Sequence, residues 1–75
     1  MSNSVDEMTE RMLDDAGIGA GMRVLDIGCG PGAVSSMLSR RVGNQGHVFA
    51  VDRSPQMLEL AREKARETGV SNLTF

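Results

Sequence analysis

The stretch VLDIGCGPGAV, residues 24–34, constrains the fold of this chain more than any other feature. An apolar run that contains Asp26 leads into three glycines at alternate positions, Gly28, Gly30 and Gly32. Glycine permits a sharp backbone turn and a close approach to a ligand that side chains would obstruct. The apolar run is typical of a buried strand, and the residues after the glycines have helical periodicity. The stretch therefore predicts a strand, a tight loop that faces a ligand, and a helix.

Helices and strands are predicted to alternate along the whole chain. The predicted elements are a helix from Ser4 that ends at Gly17, a strand at Arg23–Ile27, a helix from Val34 to Val42, a strand at His47–Val51, a helix from Ser54 to Thr68, and the start of a third strand at residues 72–75. Alternation of this kind indicates an α/β fold with a parallel sheet and right-handed crossovers. We expect a Rossmann-like sheet in the order 3-2-1, helices on both faces, and the first two strands buried on both sides.

The predicted helices carry start signals and apolar faces. Ser4 and Glu7 have the spacing of a capping box, and Ser54 followed by Pro55 is a favourable pair for a helix start. Residues expected to face the core are Met8, Met12 and Leu13 in the first helix, Val34, Met37, Leu38 and Val42 in the second, and Met57, Leu58, Ala61 and Ala65 in the third.

Composition excludes several classes of protein. The 75 residues have a formal net charge of −2 and only two aromatic side chains, whereas a nucleic-acid surface needs clustered positive charge and stacking platforms. No apolar run approaches the roughly 20 residues of a membrane span, and the polar, acidic start is unlike a signal peptide. We therefore expect one cytoplasmic domain without a membrane or nucleic-acid partner. The single cysteine, Cys29, is interpreted as a small loop residue that forms neither a disulfide nor a metal site.

The ends of the two predicted strands carry acids, Asp26 and Asp52, which discriminate between ligands. Gly28, Gly30 and Ala33 also satisfy the dinucleotide pattern, with Asp52 as the later acid. However, Asp26 would repel a pyrophosphate at the loop, and Pro31 removes one of the backbone donors that phosphate binding needs. S-adenosylmethionine carries positive charge and no phosphate. Asp52 is suited to accept hydrogen bonds from both of its ribose hydroxyls, and Asp26 is expected to face its methionine end.

The segments VLDIGCGPG and HVFAVDRSPQMLELAREKA resemble the first half of a class I S-adenosylmethionine-dependent methyltransferase, in the manner of the small-molecule and quinone C-methylating members. The likeness covers residues 22–75. It implies that residues 1–75 are a partial cofactor-binding domain, with an N-terminal helix and connection at 1–21 and the cofactor-binding half at 22–75. The residues implied to bind S-adenosylmethionine are Asp26, Gly28, Cys29, Gly30, Gly32, Asp52, Arg53 and Met57.

The resemblance implies methyl transfer to an unidentified small-molecule acceptor. The family's sheet has seven strands and this chain reaches the third, so no catalytic base is assigned. Two alternatives stay open, an NAD(P)-binding oxidoreductase module and a non-catalytic interaction fragment with the same fold. The first strand would have a bare outer edge, and such an edge invites pairing with a second copy of the chain. We therefore also expect self-association through that edge.

Overall fold

The computed structural model describes residues 4–75, with side chains from residue 6 onward. Its elements are α1 (Ser4–Asp15), β1 (Arg23–Ile27), α2 (Ala33–Val42), β2 (His47–Val51), α3 (Pro55–Thr68) and β3 (Leu73–Thr74). The predicted alternation is thus observed. The predicted capping contact of Ser4 falls on a side chain outside the described ones. Within residues 4–75, no helix combines the length and the apolar composition needed to cross a membrane.

The three strands form one parallel sheet with β2 in the middle. Arg23 lies opposite His47 and Ile27 opposite Val51, so β1 and β2 are in register along their full length. The predicted order 3-2-1 and the Rossmann-like α/β class are confirmed. Because β1 and β2 end at the same level, the loops that follow them lie side by side at the carboxyl edge of the sheet, which is where open α/β sheets bind ligands.

One face of the sheet carries the core. The buried cluster comprises Leu13, Met37, Leu38, Val42 and Val48, with Ile18, Val24, Val34 and Leu73 packed around it. The predicted inward face of α2 is therefore correct, since it supplies most of this cluster. The first helix adds one side chain to the cluster. The third helix meets the start of α2, where buried Ala61 lies against Gly32.

The opposite face of the sheet is exposed. Leu25 is 58% exposed, Ile27 77% and Val51 45%. The prediction that β1 and β2 are buried on both sides is wrong within the described residues, and the expected helices on both faces are not found there. The physical reason is that α1 and α2 pack on the side of Val24 and Val48, whereas the alternate side chains of the strands point to the other face. Self-association through the outer edge of β1 stays a prediction.

The first helix also packs differently from the prediction. Met8 and Met12, which we expected in the core, are 70% and 59% exposed, whereas Leu13 is buried. Arg41 of α2 explains the rotation, because it donates hydrogen bonds to the Asp14 carboxylate at 2.6 Å and to the Glu10 carbonyl at 2.7 Å. Positions 10, 13 and 14 share one helix face, so the two methionines are turned away from α2.

Asn72 fastens the end of α2 to the sheet. The Asn72 side-chain nitrogen donates to the backbone carbonyls of Ser39 at 2.9 Å and Gly43 at 2.8 Å, and the side-chain oxygen, Oδ1, accepts from the Ser39 hydroxyl. The same two carbonyls also accept from the backbone amides of Gly43 and Gly46, so the Asn72 side chain adds a second donor to each. The contact fixes α2, and hence the glycine loop before it, relative to β3.

Candidate functional site

The glycine loop between β1 and α2 is shaped by glycines with positive φ and by backbone hydrogen bonds to β2. Gly30 has φ 57° and Gly32 has φ 95°, values that side-chain-bearing residues rarely adopt. The amides of Gly28 and Cys29 both donate to the Val51 carbonyl, at 2.8 and 3.0 Å, and join the loop to β2. Gly32 is the N-cap of α2 and has no side chain to cap it. The loop shape therefore depends on glycine and on contacts from the neighbouring strand.

Asp52 closes the loop from the end of β2. Its Oδ2 accepts from the Gly30 amide at 2.8 Å, and its Oδ1 accepts from the Ser54 amide at 2.8 Å. These backbone hydrogen bonds, first from Ser54 and then from Gly30, lower the pKa of Asp52 because they stabilise the charged form. The carboxylate is therefore ionised at neutral pH and bridges the two strand-to-helix connections.

Asp26, the other acid, accepts a hydrogen bond from α2. It lies half-buried in β1, on the face that packs against α2, and its Oδ2 accepts from the Ser35 hydroxyl at 2.6 Å. Ser35 is fully buried. The role of Ser35 was not predicted, because a serine in an amphipathic helix gives no signal of burial. Its position in the first turn of α2, just behind the glycines, is the only indication that the sequence offers.

Cys29 lies inside the loop and is 7% exposed. Burial raises the pKa of its thiol, and the negative charges of Asp26 and Asp52 raise it further. Both carboxylates thus act on the same thiol within the loop.

A cavity of about 460 Å³ opens beside the loop, lined by Ile27, Gly28, Val51, Asp52 and Arg53. It brings together three of the predicted residues and adds two apolar walls, Ile27 and Val51, that were not predicted. Each of these is the last residue of its strand and lies on the exposed face, so the period-two alternation of side chains along the strands is the signal that finds them.

The remaining predicted residues do not line the cavity. Asp26, Cys29, Gly30 and Gly32 form or support the loop. Met57 lies half-buried in the first turn of α3, where its amide donates to the Ser54 hydroxyl at 3.2 Å.

The backbone donors of the loop are already used. Besides the amides of Gly28, Cys29 and Gly30, the amide of Gly32 donates to the Cys29 carbonyl at 3.3 Å, and Pro31 has none. A pyrophosphate needs such donors, so this geometry disfavours it. The site instead presents Asp52 in the lining of the apolar cavity and a second carboxylate, Asp26, at the end of β1, which suits a ligand with ribose hydroxyls and positive charge.

The fold and the site together define a Rossmann-like domain with a glycine loop at the carboxyl edge of its sheet. Residues 18–75 match the family model described as a methyltransferase domain, and the chain belongs to this family. The resemblance to class I S-adenosylmethionine-dependent methyltransferases is confirmed, and with it the cofactor of the family. The comparisons give no support to the oxidoreductase alternative.

The proteins similar to this chain are longer than it is. The aklanonic acid methyltransferase DauC of Streptomyces sp. (strain C5) is 43% identical over 68 residues, which are 91% of this chain and 31% of that protein. The protein-L-isoaspartate O-methyltransferase of Ignicoccus hospitalis is 34% identical over 71 residues, 95% of this chain and 34% of that protein. A SAM-dependent methyltransferase structure from Aquifex aeolicus has a TM-score of 0.82 at 38% identity, over 87% of this chain and 35% of that one. This chain thus spans about a third of each.

Proposed function

We propose that this chain binds S-adenosylmethionine at the glycine loop and forms the cofactor-binding part of an enzyme that methylates a small molecule. The observation that carries the proposal is the hydrogen bonding of the loop. Its amides are occupied by Val51, Asp52 and Cys29, while the carboxylates of Asp26 and Asp52 both act on the thiol within it. Such a loop attracts a cationic ligand and repels an anionic one.

Asp52 is the residue proposed to hold the ribose. A carboxylate has about four lone-pair positions, and the amides of Gly30 and Ser54 take one on each oxygen. Acceptor capacity therefore remains on both oxygens for the two ribose hydroxyls. Ile27 and Val51 provide an apolar surface next to this carboxylate, as a flat nucleoside base requires.

Asp26 is proposed to act on the methionine end of the ligand through its charge. S-adenosylmethionine supplies an electrophilic methyl group, and this chain's part is to hold that donor in a fixed orientation. The full proposed set is Asp26, Gly28, Cys29, Gly30, Gly32, Asp52, Arg53 and Met57. These residues lie in the proposed cofactor-binding half, 22–75, which follows the helix and connection at 1–21. No residue of this chain is assigned as a catalytic base.

A small-molecule acceptor is proposed because the quoted motifs resemble small-molecule methyltransferases and DauC, by its name, acts on aklanonic acid. The isoaspartate enzyme acts, by its name, on a protein. Incubating the full-length protein with tritiated S-adenosylmethionine and a cell extract separates the two acceptor classes. We expect label that depends on the enzyme in a low-molecular-weight product separated from unreacted S-adenosylmethionine. Label confined to protein would contradict the small-molecule proposal.

Isothermal titration of the full-length protein with S-adenosylhomocysteine tests the cofactor site. Asp52→Ala is expected to weaken binding by about 1–3 kcal/mol, because hydrogen bonds to a charged acceptor are lost. Glu63→Ala is the matched control, since Glu63 is an exposed acid of α3 outside the cavity lining. Equal affinity of the wild type and Asp52→Ala would exclude the ribose assignment. Binding of NADH in place of S-adenosylhomocysteine would instead revive the oxidoreductase alternative.

A further inference from the structure

Ser35 is a polar side chain with no exposed surface, and it lies directly behind the glycine loop. Its hydroxyl donates a 2.6 Å hydrogen bond to Oδ2 of Asp26. The two residues belong to different elements, the first turn of α2 and the end of β1, and the whole loop separates them in sequence. The hydrogen bond therefore spans the base of the loop.

The bond serves both partners. A buried hydroxyl without a partner is unfavourable, and Asp26 satisfies that of Ser35. In return, a hydrogen bond from a rigid helix restricts the carboxylate of Asp26 to one orientation, and bonds to ionised acceptors are short and strong. Within the described residues, the Ser35 hydroxyl is the one group found to donate a hydrogen bond to the Asp26 carboxylate, and it donates to Oδ2. Oδ1 is left for a ligand.

The other buried serines of α2 separate a structural role from this one. Ser39 pairs with Asn72 at the far end of the helix, in the contact that fastens α2 to β3. Ser36 is buried next to Ser35 at 6% exposure, but its hydroxyl does not contact an acid of the loop in the described structure. Among the hydrogen bonds of these three side chains within residues 6–75, that of Ser35 is the one that reaches an acid of the proposed site.

We propose that Ser35 is a positioning residue that orients Asp26 towards the cationic methionine end of S-adenosylmethionine. This inference rests on the proposed function and adds a specificity-determining residue to it. Ser35 is fully buried and is proposed to act through the Asp26 carboxylate to which it donates. Its removal therefore affects ligands that carry the amino-acid end and spares those that carry only the nucleoside.

Isothermal titration of the full-length protein with two probes tests this role. S-adenosylhomocysteine has the ammonium group, and 5′-methylthioadenosine has the same nucleoside and sulfur without it. We expect Ser35→Ala to weaken S-adenosylhomocysteine about tenfold, within the range for a hydrogen bond to a charged group, and to leave 5′-methylthioadenosine within about twofold. Ser36→Ala, the matched buried control, should change neither. Ser35→Cys keeps the side-chain volume with a weaker donor and should give an intermediate loss, which covers the case that Ser35→Ala does not fold.

A double-mutant cycle with Asp26→Asn supplies a second readout that needs only S-adenosylhomocysteine. If Ser35 acts through Asp26, Ser35→Ala has no further effect in the Asp26→Asn background. Additive losses, equal weakening of both probes, or unchanged affinity in Ser35→Ala would each overturn the inference and leave the proposed function standing. A wild-type protein that does not bind S-adenosylhomocysteine would overturn the proposed function, and the inference with it.

Discussion

The two connections from strand to helix in this chain are built in opposite ways. The first, residues 28–32 between β1 and α2, has glycines with positive φ and no side-chain cap at the helix start. The second, residues 52–54 between β2 and α3, has a side-chain cap, because Ser54 accepts from the Met57 amide and is followed by Pro55. The shape of the first connection depends on hydrogen bonds to Val51 and Asp52, which lie outside it, whereas the shape of the second depends on its own residues.

This difference assigns separate tasks to the two connections. The self-capped one is rigid by itself and can present Asp52 to both a ligand and its neighbour. The glycine connection receives that carboxylate at the Gly30 amide and in this way acquires a fixed shape. Preorganisation of the first loop is thus supplied by the second, and variants of each should have different consequences for stability and for binding.

The largest effect is expected from Gly32→Ala. Alanine at φ 95° is strained, and its Cβ would lie 3.1 Å from the Cβ and 3.2 Å from the Cα of Ala61. Strain and overpacking together should lower the free energy of unfolding by about 2–4 kcal/mol, as measured by urea denaturation. Gly30→Ala is the control, because its φ is 57° but no atom lies within 4 Å of the added Cβ. We expect about 1 kcal/mol there, and equal losses would show that the contact with Ala61 is unimportant.

Ser54→Ala should be intermediate and should affect stability more than binding. Loss of the N-cap of α3 is expected to lower the free energy of unfolding by about 1 kcal/mol. The backbone amide that Ser54 donates to Asp52 is retained, so affinity for S-adenosylhomocysteine should change by less than about twofold. Parallel urea and titration measurements check both values. A large loss of affinity would mean that the second connection is not self-sufficient.

A smaller, pH-dependent effect is expected from Asp52. Its pKa is lowered in the folded chain by the amides of Ser54 and Gly30, so the unfolded state binds more protons in the acid range. The stabilisation is complete above the unfolded value of about 3.9 and is lost as pH falls through the lower folded value. Melting temperatures of the wild type and Asp52→Ala should therefore converge below about pH 4. For Ser54→Ala, which removes no ionisable group, the difference from the wild type should stay constant, and a constant difference for Asp52→Ala would contradict the pKa shift.

The smallest effect concerns the thiol within the glycine connection. Burial, together with Asp26 and Asp52, raises the pKa of Cys29, so little thiolate is present at neutral pH. Alkylation by iodoacetamide should be at least about threefold slower than for an exposed cysteine, because only the thiolate reacts. Mass spectrometry measures the rate, with the urea-unfolded chain as reference. Fast labelling of the native chain would indicate that the glycine connection opens readily.

Much of the fold follows from local signals in the sequence. The bounds of β1 and β2 agree with the prediction because each is a short apolar run between turn residues, and the α3 start agrees because Ser54 and Pro55 act locally. The exposure of Leu25 and Ile27 was not predicted, because an apolar strand does not reveal which face its helices cover.

The same distinction between local signals and contacts formed on folding applies to the candidate site. Gly30, Gly32 and Asp52 were identified because their residue types are required by backbone geometry or charge. Ser35 and the Asn72 contact were missed, since both rest on polar partners brought together only by folding. For Met8 and Met12, helical periodicity suggested a core position, but the hydrogen bonds of Arg41 to the other face of α1 decided the orientation.

Those hydrogen bonds of Arg41 also have a consequence for how the chain opens. Leu13 is the one buried side chain among residues 6–15, and Arg41 provides the polar attachment next to it. Ion pairs near the surface are weakened by salt, so α1 should detach in a local opening event well below the free energy of global unfolding. Its amide hydrogens should then exchange with deuterium sooner than those of α2, and raising the ionic strength should widen the difference between the two helices.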